Sequence, residues 1–276
     1  MHRFSSTTTM PLATQGTGAG PLLREWRTRR RLSQLALALD SGVSARHLSF
    51  VETGRARASA ALLGALAETL SLPMRARNEL LQAGGFAPQF SETVLAAPSM
   101  TSVRSAMERM LAAHDPYPGV ALDRAWNVVL ANSSAQRMMS MLPAFLASPA
   151  PNMFRAGLHP QGFAAHTANF GEWGRYLLRE LDRLAEASAD PAVRALREEI
   201  LAYPNVQRLL ARETSVHMSS NDVLVPCILD IGGARLSMFT TLATLGSPRD
   251  VTLAELTVEL FYPADDATAS VMFGEG

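Results

Sequence analysis

A chain of 276 residues, 47% hydrophobic and 18% charged, is long enough for one large or two modest packed domains and too apolar to be mainly disordered. Its 25 basic residues, all arginine, balance 25 acidic ones. The single cysteine, Cys227, excludes an intramolecular disulfide and a Cys-x-x-Cys knuckle, and no apolar run nears the roughly 18 residues that cross a bilayer. Residues 1–20, rich in Ser, Thr and Gly, read as a disordered leader lacking the apolar stretch of a secretory signal, which points to a cytoplasmic protein. Helices are expected at 21–31, 34–40, 45–53, 59–71 and 74–83, with Ser33, Ser44 and Ser59 as N-caps and Gly84-Gly85 closing the last. Residues 89–102 read as a linker. A mixed pattern follows: a helix at 103–113, strands at 118–123 and 126–131, and a helix at 132–142. Next come a proline-rich loop at 143–161, helices near 172–187, 191–202 and 204–214, and strands at 223–231, 234–244 and 251–261. The fold class is multidomain, an all-α five-helix head followed by an α/β (α+β) body.

Charge divides along the same line. Residues 1–90 carry eleven arginines against five acids, a charge of +6, and residues 91–276 carry −6. Such asymmetry fits a polyanionic partner for the head. Within the head, Leu32 to Glu52 has the pattern of two short helices crossing at a turn. Ala38 is small enough for close contact, and Gly42 tolerates the positive φ the turn needs. Leu37, Val43, Leu48 and Val51 fall on one buried side. Ser44, Ala45, Arg46, Ser49 and Glu52 then face outward on the second helix, Glu52 also being placed to pair with an arginine of the head.

These residues resemble a lambda-repressor-like, XRE-type helix-turn-helix domain over 21–88. The resemblance runs through Leu32-Ser33-Gln34, Ser41-Gly42-Val43-Ser44, Glu52-Thr53-Gly54-Arg55 and Arg57-Ala58-Ser59. It implies a five-helix bundle that binds a double-stranded DNA operator. Gln34 is implied to touch a phosphate and brace the recognition helix, with Ser44, Ala45, Arg46 and Ser49 at its DNA-facing start. Arginine suits bidentate bonding to guanine, so Arg46 is a candidate for base readout, or equally for a phosphate clamp. Thr53, Arg55 and Arg57 suit backbone contacts. The run Arg27, Arg29, Arg30, Arg31 either extends the basic surface or forms a solvated helix face.

In the body, Leu122 to Asn132 reads as strand, turn, strand and helix start, resembling the opening of a PAS-like sensor. With Phe239–Gly246, Asp250–Leu256 and Phe261–Asp265, it resembles the MmyB-type ligand-binding domain over 103–270. That resemblance implies a PAS-like fold with a cavity between sheet and helices for a small, largely apolar effector such as a fatty acid. Candidate lining residues are Trp126, Met138, Met139, Leu142, Phe154 and Trp173. The methionine-rich stretch, which also holds Met141, Phe145 and Met153, suits an adaptable cavity, an ordinary core or a dimer surface.

Enzyme signatures are absent from the sequence: there is no G-x-S-x-G, H-E-x-x-H or P-loop, and His159 and His166 flank a turn without ligand spacing. No catalytic residue, metal or cofactor is expected, and no membrane partner. The functional expectation is a homodimeric, ligand-responsive transcription regulator. The alternative is a constitutive DNA-binding protein whose C-terminal domain only dimerises.

Overall fold

The computed structural model describes residues 18–188, 190–212 and 224–274. The chain divides into two compact units, residues 1–92 with 249–251 and residues 93–248 with 252–276. The first contains α1 (Ala19–Arg29), α2 (Gln34–Asp40), α3 (Ala45–Glu52), α4 (Ala60–Thr69) and α5 (Met74–Ala83). Three of these start where the sequence places a cap. The Oγ atoms of Ser33, Ser44 and Ser59 accept from the N–H groups of Ala36, His47 and Leu62 at 3.0, 3.1 and 3.2 Å. Each bond satisfies an amide that a first helical turn otherwise leaves without a partner. Leu23, Leu37, Leu48, Leu63, Leu66 and Leu80 are wholly buried and, with Trp26, form the apolar interior that holds the helices together.

The first helix begins earlier than its periodicity indicates, so the last residues of the expected leader are helical; residues 1–17 lie outside the described residues. Gly20 permits this. A Cβ there would run into the carbonyl oxygen of Val51 and lie 2.9 Å from that of Glu52, so only glycine lets α1 approach the end of α3 so closely. The expected linker is also shorter than 89–102. Asn78 Oδ1 accepts from the N–H groups of Gln89 and Phe90 at 2.9 and 3.0 Å, holding the chain against α5. A 3-10 turn at Pro98–Met100 then leads into α6 (Thr101–Ala112).

The second unit is built on one antiparallel sheet of five strands: β1 (Gly119–Leu122), β2 (Val128–Ala131), β3 (Cys227–Ile231), β4 (Ala234–Thr244) and β5 (Thr257–Pro263). Their order is β2-β1-β5-β4-β3, with β5 central. Gly232 and Gly233, at φ 61° and 82°, supply the two left-handed positions of a tight hairpin turn between β3 and β4. Alternation along the strands gives the sheet two apolar faces. On one, Ala121 and Val258 pack with Met107 and Leu111 of α6. On the other, Val120, Leu122, Cys227, Leu229 and Met238 meet the main helical layer. That layer comprises α7 (Ser133–Met139), α8 (Ala144–Ala147), α9 (Met153–Leu158), α10 (Phe170–Ser188), α11 (Pro191–Leu201) and α12 (Pro204–Ala211). The long amphipathic α10 buries Trp173, Leu177, Leu181 and Ala185 along one stripe.

Two sequence expectations need correction. The proline-rich stretch 143–161 is not a plain loop but contains α8 and α9. Asn152 starts α9 by accepting from the N–H groups of Phe154 and Arg155, both at 3.2 Å, and the surrounding prolines obscure so short an element. The strand expected at 251–261 is a short helix, α13 (Val251–Glu255), followed by β5; Val251 and Thr252 have strand propensity, and packing overrides it. The chain then forms α14 (Asp266–Phe273), opened by Asp265 and closed by Gly274 at φ 77°. Among the described residues no helix is long and apolar enough to cross a membrane.

Candidate nucleic-acid interface and ligand cavity

In the head, α2 and α3 meet across the turn at Gly42, whose φ of 68° admits no ordinary side chain without strain. The N–H of Val43 closes the turn onto Ala38 O at 2.9 Å, and Ala38 is buried at the crossing. Outward from α3, Ser44 and Arg46 are exposed, and Ala45 and Ser49 are half-buried; beyond it, Thr53, Arg55 and Arg57 are exposed. The Arg46 guanidinium lies 5.4 Å from the centre of the Phe50 ring one turn on, which holds the side chain along the helix. Ser44 and Thr53 use their oxygens locally. Ser44 caps α3, and the Thr53 hydroxyl donates to Ser49 O at 2.7 Å.

Glu52 does not face outward; it is buried, a correction to the helix-face assignment. Arg27 of α1 donates to its two carboxylate oxygens at 2.7 and 2.9 Å, and Gln34 Nε2 donates to Oε2 at 2.7 Å. Burial alone would raise the Glu52 pKa. The hydrogen bonds from Arg27 and Gln34, with the arginine charge, outweigh it and hold the carboxyl below its ordinary range. Gln34 therefore braces α3 through Glu52. Of the arginine run, Arg27 is used inside the head, Arg29 pairs with Glu25 at 2.8 Å, and Arg30 donates to Leu70 O and Ser71 O at the end of α4. The pairing of Arg27 with Glu52 needs α1, α2 and α3 together, so only an acid at the end of the recognition helix hinted at it in the sequence.

In the body, a cavity of about 70 Å³ lies between the sheet and the helices. Of the candidate lining residues, Trp126, Met138, Met139 and Trp173 are on its wall. Phe154 is fully buried beneath Trp126, the rings stacked 4.5 Å apart, and supports the wall without lining it. Leu142 packs into a separate cluster with Leu146 and Ala156. Met153 lines the cavity, whereas Met141 and Phe145 are exposed. Trp126 sits at φ 64°, which is costly for a bulky residue. Its loop is tied down on both sides. Asp123 Oδ1 accepts from the N–H groups of Ala125 and Asn127 at 2.8 and 2.9 Å, and Asn152 Nδ2 donates to Ala125 O at 2.7 Å.

Sequence reasoning missed the contribution of the sheet. Cys227 of β3 and Glu259 and Phe261 of β5 also line the cavity, as does Phe163 from the 3-10 turn Phe163–His166. Burial, and secondarily the nearby Glu259 charge, pushes the Cys227 thiol up to about 12. Burial likewise raises Glu259 to about 7, opposed by a hydrogen bond with Thr240. The one available signal was an acid inside the apolar run Leu256 to Phe261. Among the described residues no group of three His, Cys, Asp or Glu side chains is placed to hold a metal ion.

Comparison with known families gives two matches. Residues 23–76 match a helix-turn-helix family, and residues 103–272 match the MmyB-like transcription regulator ligand binding domain. No curated protein matches the chain.

Proposed function

The chain belongs to the MmyB-like transcription regulators, a helix-turn-helix DNA-binding head joined to a ligand-binding domain, and we propose that a small, largely apolar effector in the second domain modulates operator binding by the first. The observation that carries this is the apolar cavity of the body, walled by Trp126, Met138, Met139 and Trp173. On this reading those four contact the effector, and Phe154 and Leu142 shape the wall from behind. The PAS-like description is supported by the position of the cavity between a five-strand antiparallel sheet and its helices.

At the head, Arg46, Ala45, Ser44 and Ser49 meet base edges in the major groove, while Gln34, Thr53, Arg55 and Arg57 meet phosphates. Exposure of Arg46, Arg55 and Arg57, with no ion pair made by any of them among the described residues, supports their availability to DNA. A single recognition helix covers too few base pairs for a specific site, so the protein works as a homodimer on paired half-sites, in the cytoplasm. No catalysis is involved. An effector can alter operator affinity only through unequal affinity for the DNA-competent and incompetent arrangements, a coupling typically worth about 5–150-fold.

The test starts with native mass spectrometry of the purified protein and extraction of what it carries. An operator is then selected from random duplexes and titrated with the full chain and with residues 1–90, each with and without the extract. The expected result is a change within that range for the full chain and almost none for the head. An unaltered full-chain affinity at saturation would leave the second domain with dimerisation alone.

A further inference from the structure

The cavity wall has one polar feature that the apolar-effector reading does not use. Glu259 stands near the middle of the central strand, directly across from Val120 of β1, and its side chain shares a face with Phe261. The residue is 5% exposed. Thr240, diagonal to it on β4, hydrogen-bonds the carboxyl, but Oε2 has no hydrogen-bond partner among the described residues. Strand alternation would readily place an apolar side chain here, as it does at Val120 and Leu229. A buried carboxyl oxygen without a donor is costly, so this residue type is poorly explained by stability.

The rest of the wall narrows the chemistry. Among the described residues no arginine or histidine lines the cavity, so none of them would neutralise an anionic ligand. Four aromatic rings do line it: Trp126, Phe163, Trp173 and Phe261. Aromatic faces around a single carboxyl form a setting that attracts organic cations, by ring quadrupole and by charge-assisted hydrogen bonding together. A carboxylate head would instead set two acids side by side with no cation between them.

We infer that Glu259 is the head-group recognition point of this cavity, and that the effector is an apolar molecule bearing a protonated amine, not a carboxylate. This rests on the reading of the cavity as an effector site. The ammonium donates to Oε2, and the apolar tail lies among Met138, Met139 and Met153, whose flexible side chains let a cavity of about 70 Å³ enlarge around it. Tyr176 and Cys227, titratable groups beside the carboxyl, stay neutral at physiological pH and add no second anion next to it.

Three probes of six carbons each separate the possibilities: n-hexylammonium, hexan-1-ol and hexanoate. Each is titrated into the full chain near neutral pH by calorimetry, with the thermal shift as a second readout. The amine is expected to bind about tenfold or more tightly than hexanoate. Glu259→Gln, which keeps the side-chain shape, is expected to remove most of that preference and leave hexan-1-ol within about threefold. Equal binding of amine and hexanoate, or an amine affinity indifferent to Glu259→Gln, overturns the head-group assignment while hexan-1-ol binding leaves the cavity reading standing. If none of the three binds, the cavity reading falls and the assignment with it. Should Glu259→Gln not fold, the order of the three probes on the unaltered chain still decides.

Discussion

The brace behind the recognition helix can be measured by replacing Glu52 with glutamine. The carboxylate side chain has no exposure and Arg27 has 12%, so the substitution strands a mostly buried guanidinium opposite an amide. Breaking a buried ion pair by removing one partner costs about 3–5 kcal/mol. Arg27 keeps its hydrogen bond to Leu32 O at 2.8 Å and some contact with water, which places the expected loss at the lower end, about 3 kcal/mol. That corresponds to about a hundredfold increase in the opening equilibrium of α3. Hydrogen exchange of peptides spanning α1 and α3 in the full chain reads this directly, and peptides from the sheet of the second unit serve as the internal control. The pH dependence has a definite sign. Because the folded carboxyl titrates below its ordinary value, its contribution is complete above the unfolded pKa of about 4.5 and is lost as pH falls through the lower folded value. The difference between the two proteins should therefore be full at neutral pH and close in acid. A loss under about 0.5 kcal/mol at neutral pH would show that the pair behaves as an ordinary surface ion pair, and the bracing argument would fail.

Gly20→Ala should destabilise the head by about 1–3 kcal/mol, because the new methyl meets backbone carbonyls that cannot rotate away; a thermal midpoint unchanged within error would contradict the close approach of α1 to α3. Asn132→Asp removes the amide that donates to Leu111 O at 3.2 Å and Tyr117 O at 2.8 Å, and buries a charge in its place. A cost of about 3 kcal/mol or more is expected in urea unfolding, whereas a surface-like cost would mean that the junction of α6, β1 and α7 does not depend on this side chain. Cys227, its thiol held near 12 by burial, should alkylate with iodoacetamide about a thousandfold more slowly than a free thiol at mildly alkaline pH and should react fully once unfolded. Fast labelling of the native chain would place the thiol outside the cavity wall.

What the sequence determines by itself is local. Ser33, Ser44 and Ser59 cap the helices they precede, and Gly42 makes the turn, because each acts on amides or dihedrals within a few residues. The two-domain order and the outward Arg46 follow from such signals. Tertiary structure decides the rest. Glu52 reads as a surface acid until α1 brings Arg27 against it, and Phe154 reads as a cavity residue until Trp126 stacks over it. Val251 to Glu255 looks like strand until packing makes it helix. Glu259 acquires its meaning only when the sheet places it opposite Val120, 139 positions earlier in the chain, and beside helices that bring Trp173 and Met138 to the same cavity. Burial and dielectric are set by groups far apart in sequence, so the chemistry of a buried carboxyl cannot be read from its neighbours along the chain.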